Sequence, residues 1–168
     1  YNFSKDKLLA QRLYEILGFV PSDLGLYKLA FFHKSTNAEK VNGAAGQNNE
    51  RLEFLGDAVL GTVVAEYLFN KYPNSDEGFL TKMRSKIVKR SSLNKIGDKM
   101  ALDTILLEYN NTRLSRSMLG NAVEALVGAI YLECGYNETK RYIVRRLLRK
   151  YLDIHALETF EDIYKSQL

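Results

Sequence analysis

Apolar residues recur along the chain at helical spacing, in blocks separated by polar or glycine-containing breaks. Leu8, Leu9, Leu13, Ile16 and Leu17 fall on one face of a helix predicted over 4–18, with Ser4 as its cap and Gly18 as its stop. Pro21-Ser22-Asp23 opens a short second helix carrying Leu24, Tyr27, Leu29 and Phe31. Residues 34–49, with Asn42-Gly43-Ala44-Ala45-Gly46-Gln47 among them, read as a loop. A long helix is predicted from about Glu50 to Tyr72, stopped by Pro73-Asn74, and Ser75 or Asp76 caps the next, through Leu80, Met83, Ile87 and Val88. Ser91-Ser92 starts another that ends near Gly97, whereas 101–114 are mixed and define no clear element. Ser115 or Ser117 opens an apolar run to about Cys134, Gly135 ends it, and a last helix covers 137–152. With only two prolines and abundant Leu, Ala, Lys and Glu, this series predicts an all-α fold.

Two of these runs begin almost alike: Leu55-Gly56-Asp57-Ala58-Val59 and Leu119-Gly120-Asn121-Ala122-Val123. Residues 52–69 carry only Glu53, Asp57 and Glu66 as charged side chains, and 118–132 carry only Glu124. Acids in such apolar surroundings are costly unless something positive compensates them. Glu50, Glu53 and Asp57, at i, i+3 and i+7, share one helical stripe that continues as Gly61, Val64 and Leu68. The opposite side carries Leu52, Leu55, Val59 and Val63. Apolar residues all round predict a buried central helix with its acids at the mouth of a pocket. Asn121 and Glu124 repeat the situation on the second helix. Glu53, Asp57, Asn121 and Glu124 then offer four hard oxygen ligands from two helices, which suits Mg²⁺, with Mn²⁺ able to substitute. Two histidines, His33 and His155, and one cysteine argue against zinc. Carboxylates holding Mg²⁺ beside a polyanion are a common device for hydrolysing a phosphodiester.

Composition narrows the setting. The 168 residues, 46% hydrophobic, suffice for one domain with one core. A formal charge of +4 and a pI near 9.0 permit a polyanionic partner without demanding one. The lone Cys134 excludes an internal disulfide framework and, at the end of an apolar run, reads as a packed, reduced thiol in a cytoplasmic setting. No apolar stretch reaches membrane-spanning length, so no membrane partner is expected. The chain starts at Tyr1 and stops at Leu168, and it reads as a piece of something longer.

Asn49-Glu50-Arg51-Leu52-Glu53-Phe54-Leu55-Gly56-Asp57-Ala58-Val59-Leu60 resembles the signature of ribonuclease III nearly letter for letter. Phe32-His33-Lys34-Ser35, Glu77-Gly78-Phe79-Leu80-Thr81 and Glu124-Ala125-Leu126-Val127-Gly128-Ala129-Ile130-Tyr131-Leu132 extend the likeness over nearly the whole chain. The resemblance implies an all-helical, homodimeric endonuclease domain that cuts double-stranded RNA with Mg²⁺, leaving 5′-phosphate and 3′-hydroxyl ends with short 3′ overhangs, in rRNA or mRNA processing. It further implies Glu53, Asp57, Asn121 and Glu124 as the metal shell, with Asp57 and Glu124 catalytic. Glu50 and Glu77 would be secondary acids near the cleavage valley or dimer seam, and Phe54 a dimer contact. Residues 1–160 would be the catalytic domain, and 161–168 the start of a linker to a double-stranded-RNA-binding domain that these 168 residues do not include.

One residue departs from the family pattern: Asn121 stands where Asp is usual. Asn keeps a carbonyl oxygen but removes one negative charge, so Asn121→Asp is expected to lower the Mg²⁺ requirement. The alternative is an impaired or silent RNA-binding relative. Lys82, Arg84, Lys86, Lys89 and Arg90 form a dense basic segment suited to RNA phosphates, whereas Arg141, Arg145, Arg146, Arg149 and Lys150 read as a solvated face. His33 and Ser35 recur in the family and are expected to pack rather than catalyse; Tyr67 and Tyr131 are expected in the core.

Overall fold

In a computed structural model of the protein, every residue from Ala122 to Ile130 is buried. The structure describes residues 3–32, 49–110, 115 and 117–158. His33, Lys34, Ser35, most of the expected 34–49 loop and the expected linker at 161–168 lie outside them. The described elements are α1 (Phe3–Leu17), α2 (Leu24–Phe31), α3 (Glu50–Lys71), α4 (Glu77–Val88), α5 (Arg90–Lys99), α6 (Leu102–Asn110), α7 (Ser117–Tyr142), a π-helical segment (Ile143–Tyr151) and α8 (Ile154–Leu157). The fold is all-α, as the spacing predicts.

The central helix is α7, not α3. It packs on α3, α5 and α2, and its small residues let those neighbours come close. α3 buries Leu52, Gly56, Val59, Leu60, Val63, Val64 and Leu68 on one side. On the other, Phe54 (81% exposed) and Phe69 (68%) face solvent with Asp57, Ala58 and Thr62, so the expectation of a helix buried all round fails. An apolar sequence cannot by itself distinguish a face that meets the core from one left on the surface.

Local signals place most helix ends. Asp23 caps α2 by accepting from the Leu26 amide, and Asp76 caps α4 by accepting from Phe79 at 2.9 Å. Gly18 stops α1 with φ +79°, its amide donating to the Tyr14 carbonyl. Ser4 falls inside α1 rather than before it. Gly135 (φ +82°) breaks α7 where the apolar run was expected to end, and helical turns resume beyond it. The mixed 101–110 stretch becomes α6, held by buried Leu102, Ile105 and Leu106.

Candidate active site

Two glycines set the distance between the acid-bearing helices. A Cβ on Gly56 would stand 1.6 Å from the Glu124 carbonyl oxygen, and one on Gly128 would stand 2.4 Å from the Leu52 carbonyl. Only glycine allows α3 and α7 this close. Their crossing therefore falls where Glu53 and Asp57 on α3 meet Glu124 on α7.

Glu124 is 5% exposed, Glu53 and Asn121 are half-buried, and Asp57 is exposed. Burial, a hydrogen bond with Asp57 and the charges of Asp57 and Glu53 push the Glu124 carboxyl up to about 8, against the opposing effect of Arg90. Asp57 and, more weakly, Glu53 thus both act on the Glu124 carboxyl, which resists ionising. Arg90, the first residue of α5, donates from Nη1 to Asn121 Oδ1 and lies 3.6 Å from Glu124 Oε1. The Gly120 amide donates to Asn94 Oδ1 at 2.9 Å, which fixes the start of α7 against α5.

Among the described residues, no three His, Cys, Asp or Glu side chains are gathered tightly enough to hold a metal ion as they stand. The donor set nevertheless fits a hard divalent cation in kind. It is all oxygen, it comes from two helices fixed by close packing, and its mutual repulsion is of the sort a dication relieves. Arg90 is seated on Asn121 and Glu124.

An open cleft of ≈ 550 Å³ runs from Asp57 between α3 and α4, lined also by Ala58, Gly61, Thr62, Arg84 and Ser85. The basic segment divides around it. Lys82, Arg84, Lys89 and Arg90 are exposed, Lys86 donates to the Leu157 carbonyl at 2.8 Å, and Arg90 reaches over the surface to Asn121. Glu50 is exposed at the start of α3, and Glu77 is exposed on α4, accepting from Thr81 at 3.3 Å. Tyr67 and Tyr131 are half-buried against the core, and Cys134 is a free, half-buried thiol raised by burial. Arg141 pairs with Glu138 on the surface.

The sequence reading missed the contact of Arg90 with Asn121 and the role of Asn94. It also missed Glu133, whose carboxylate accepts from the Asp23 amide at 2.7 Å and from the Ser22 amide and Tyr27 hydroxyl. None of the three carries a local signal, since each partner lies far away in sequence. The one available hint was the repeated Leu-Gly-Asx-Ala-Val, whose glycines prove to be close-approach points.

The sequence matches the Ribonuclease-III-like family over residues 23–151. It is 43% identical over 166 residues to "Ribonuclease 3" of Azobacteroides pseudotrichonymphae, covering 99% of this chain and 63% of that protein. It is 46% identical over 157 residues to "Ribonuclease 3" of Zunongwangia profunda, covering 93% and 64%. The chain thus spans less than two thirds of these curated relatives. The fold superposes on the nuclease domain of ribonuclease III from Campylobacter jejuni with TM-score 0.72 and 37% identity, covering 84% of this chain and 97% of that one. It matches Dicer from Pichia stipitis with TM-score 0.60 and 29% identity, covering 85% and 59%. This chain belongs to the ribonuclease III family.

Proposed function

We propose that this chain is the catalytic part of an endoribonuclease that hydrolyses double-stranded RNA with Mg²⁺ or Mn²⁺, in the cytoplasm, leaving 5′-phosphate and 3′-hydroxyl ends with short 3′ overhangs. The observation that carries the reading is the meeting of Glu53 and Asp57 with Glu124 across the Gly56–Gly128 contact. Glu53, Asp57, Asn121 and Glu124 would hold the cation, which when bound supplies charge stabilisation at the scissile phosphate and activates water. The chain's own residues do the rest. Asp57 is exposed and lines the cleft, where it can face the substrate, and buried Glu124 is hydrogen-bonded with it. Arg84 lines that cleft, and it and the exposed Lys82 and Lys89 suit phosphate contacts, which position a duplex without reading its sequence. Glu50 and Glu77 would be secondary acids at the margins.

The same reading makes the domain a homodimer. Phe54 and Phe69 lie within about a quarter-turn of one another on α3, both exposed, and a two-fold partner would cover them. The Campylobacter relative has a region involved in dimer formation. A silent relative is the poorer account, because Asn121 keeps its amide oxygen in the cluster and the three carboxylates are present.

The test is incubation with a long RNA duplex in Mg²⁺, in chelator, and beside a DNA duplex of the same sequence. Cleavage of RNA alone, in Mg²⁺ alone, is expected. Equal cleavage of DNA, or cleavage in chelator, refutes the reading.

A further inference from the structure

Arg90 is out of place by the ordinary rules of helix electrostatics. It is the first residue of α5, preceded by Lys89, and that first turn holds no acid. A helix N-terminus disfavours cations, so α5 gains nothing from the guanidinium. The guanidinium instead reaches across to α7, donating to Asn121 Oδ1 and standing 3.6 Å from Glu124 Oε1.

The guanidinium lies beside Gly120 at the start of α7: a Cβ there would come 3.2 Å from Arg90 Nη1, and 2.8 Å from Asn94 Oδ1. Asn121 supplies a neutral acceptor, which holds Arg90 through a single hydrogen bond rather than a carboxylate fork. The contact is therefore one that another cation can displace.

We propose that Arg90 is a built-in rival of the divalent cation, occupying the Asn121 and Glu124 oxygens until the metal takes them, so that residue 90 sets the metal concentration at which the site loads. This rests on the metal reading given above. A guanidinium and a dication directed at the same two oxygens repel across about 4 Å, and one must yield.

The experiment is calorimetric titration of the RNA-free protein with Mn²⁺, comparing the parent with Arg90→Ala, Arg90→Gln and Arg90→Lys, each checked for folding by circular dichroism. Arg90→Ala and Arg90→Gln are expected to bind Mn²⁺ about tenfold more tightly than the parent, because a nearby positive charge has gone. Arg90→Lys is expected to stay within about threefold of the parent. If the parent binds Mn²⁺ and neither neutral variant binds it more tightly, the rivalry is refuted while the metal reading stands. If parent and variants alike bind no Mn²⁺, the metal reading falls and takes this inference with it.

Discussion

Gly56 of α3 lies against the backbone carbonyl of Glu124 on α7, so close that a Cβ would approach that oxygen to 1.6 Å. The residue that fixes the helix crossing therefore touches the backbone of a residue proposed as a metal ligand. Gly56→Ala should force α3 and α7 apart, costing about 3 kcal/mol of stability. Thermal unfolding checks the cost. A melting temperature equal to that of the parent would mean that the crossing is softer than its geometry implies.

Removing carboxylates should separate chemistry from folding. Glu124→Gln or Asp57→Asn leaves the core intact and removes a carboxylate that could ligate the cation. Each is expected to lower the cleavage rate at least about a hundredfold, or about 3 kcal/mol in activation free energy, with little change in the circular dichroism spectrum. If Glu124→Gln cuts RNA as fast as the parent, the proposed ligand set is wrong.

The stability of the metal-free protein should fall as pH rises. Glu124 is raised from its ordinary 4.5 to about 8, so between those values the folded protein holds a proton that the unfolded chain has released. Its contribution is complete below about pH 4.5, declines by at most about 1.4 kcal/mol per pH unit, and is gone above about pH 8. Denaturant melts in chelator at pH 5 and pH 8 measure the slope. Glu124→Gln should flatten it, and an unchanged slope in that variant would assign the effect elsewhere.

Asn121→Asp should not act alone. Charge counting predicts tighter Mg²⁺ binding, but a carboxylate at 121 also grips Arg90 more firmly. The gain is expected to be larger in an Arg90→Ala background than in the parent, with a coupling of about 1 kcal/mol. Half-saturating Mg²⁺ for cleavage, measured for the four members of the cycle, decides the matter; strict additivity would sink the prediction.

Phe54→Glu should weaken self-association by placing a charge in the exposed apolar stripe of α3. Sedimentation at micromolar concentration is expected to give a dimer for the parent and a monomer for the variant. A monomeric parent would remove the dimer from the proposal.

What could be read in the chain was local. Asp23 and Asp76 cap the helices they precede, Gly18 stops α1, and the acid spacing placed Glu53 and Asp57 on one helical stripe. What could not be read depends on partners distant in sequence. Arg90 looked like one more member of a basic run until α7 brought Asn121 beside it. α3 as a whole looked buried on every side because hydrophobicity along a helix carries no label for what it meets, whereas Phe54 and Phe69 stand exposed on it. α6 was obscure because Leu102, Ile105 and Leu106 acquire their meaning only from the helices that cover them.

The Glu133 contact has a bearing on how the chain is made. Its carboxylate receives the Ser22 and Asp23 amides at the head of α2 and the Tyr27 hydroxyl, spanning more than a hundred residues. During synthesis from the N-terminus, α2 emerges long before residue 133 and must wait with its first amides turned to water. The opening helices can settle only once most of α7 has left the ribosome, so the chain is expected to acquire protease resistance late and in one step rather than helix by helix.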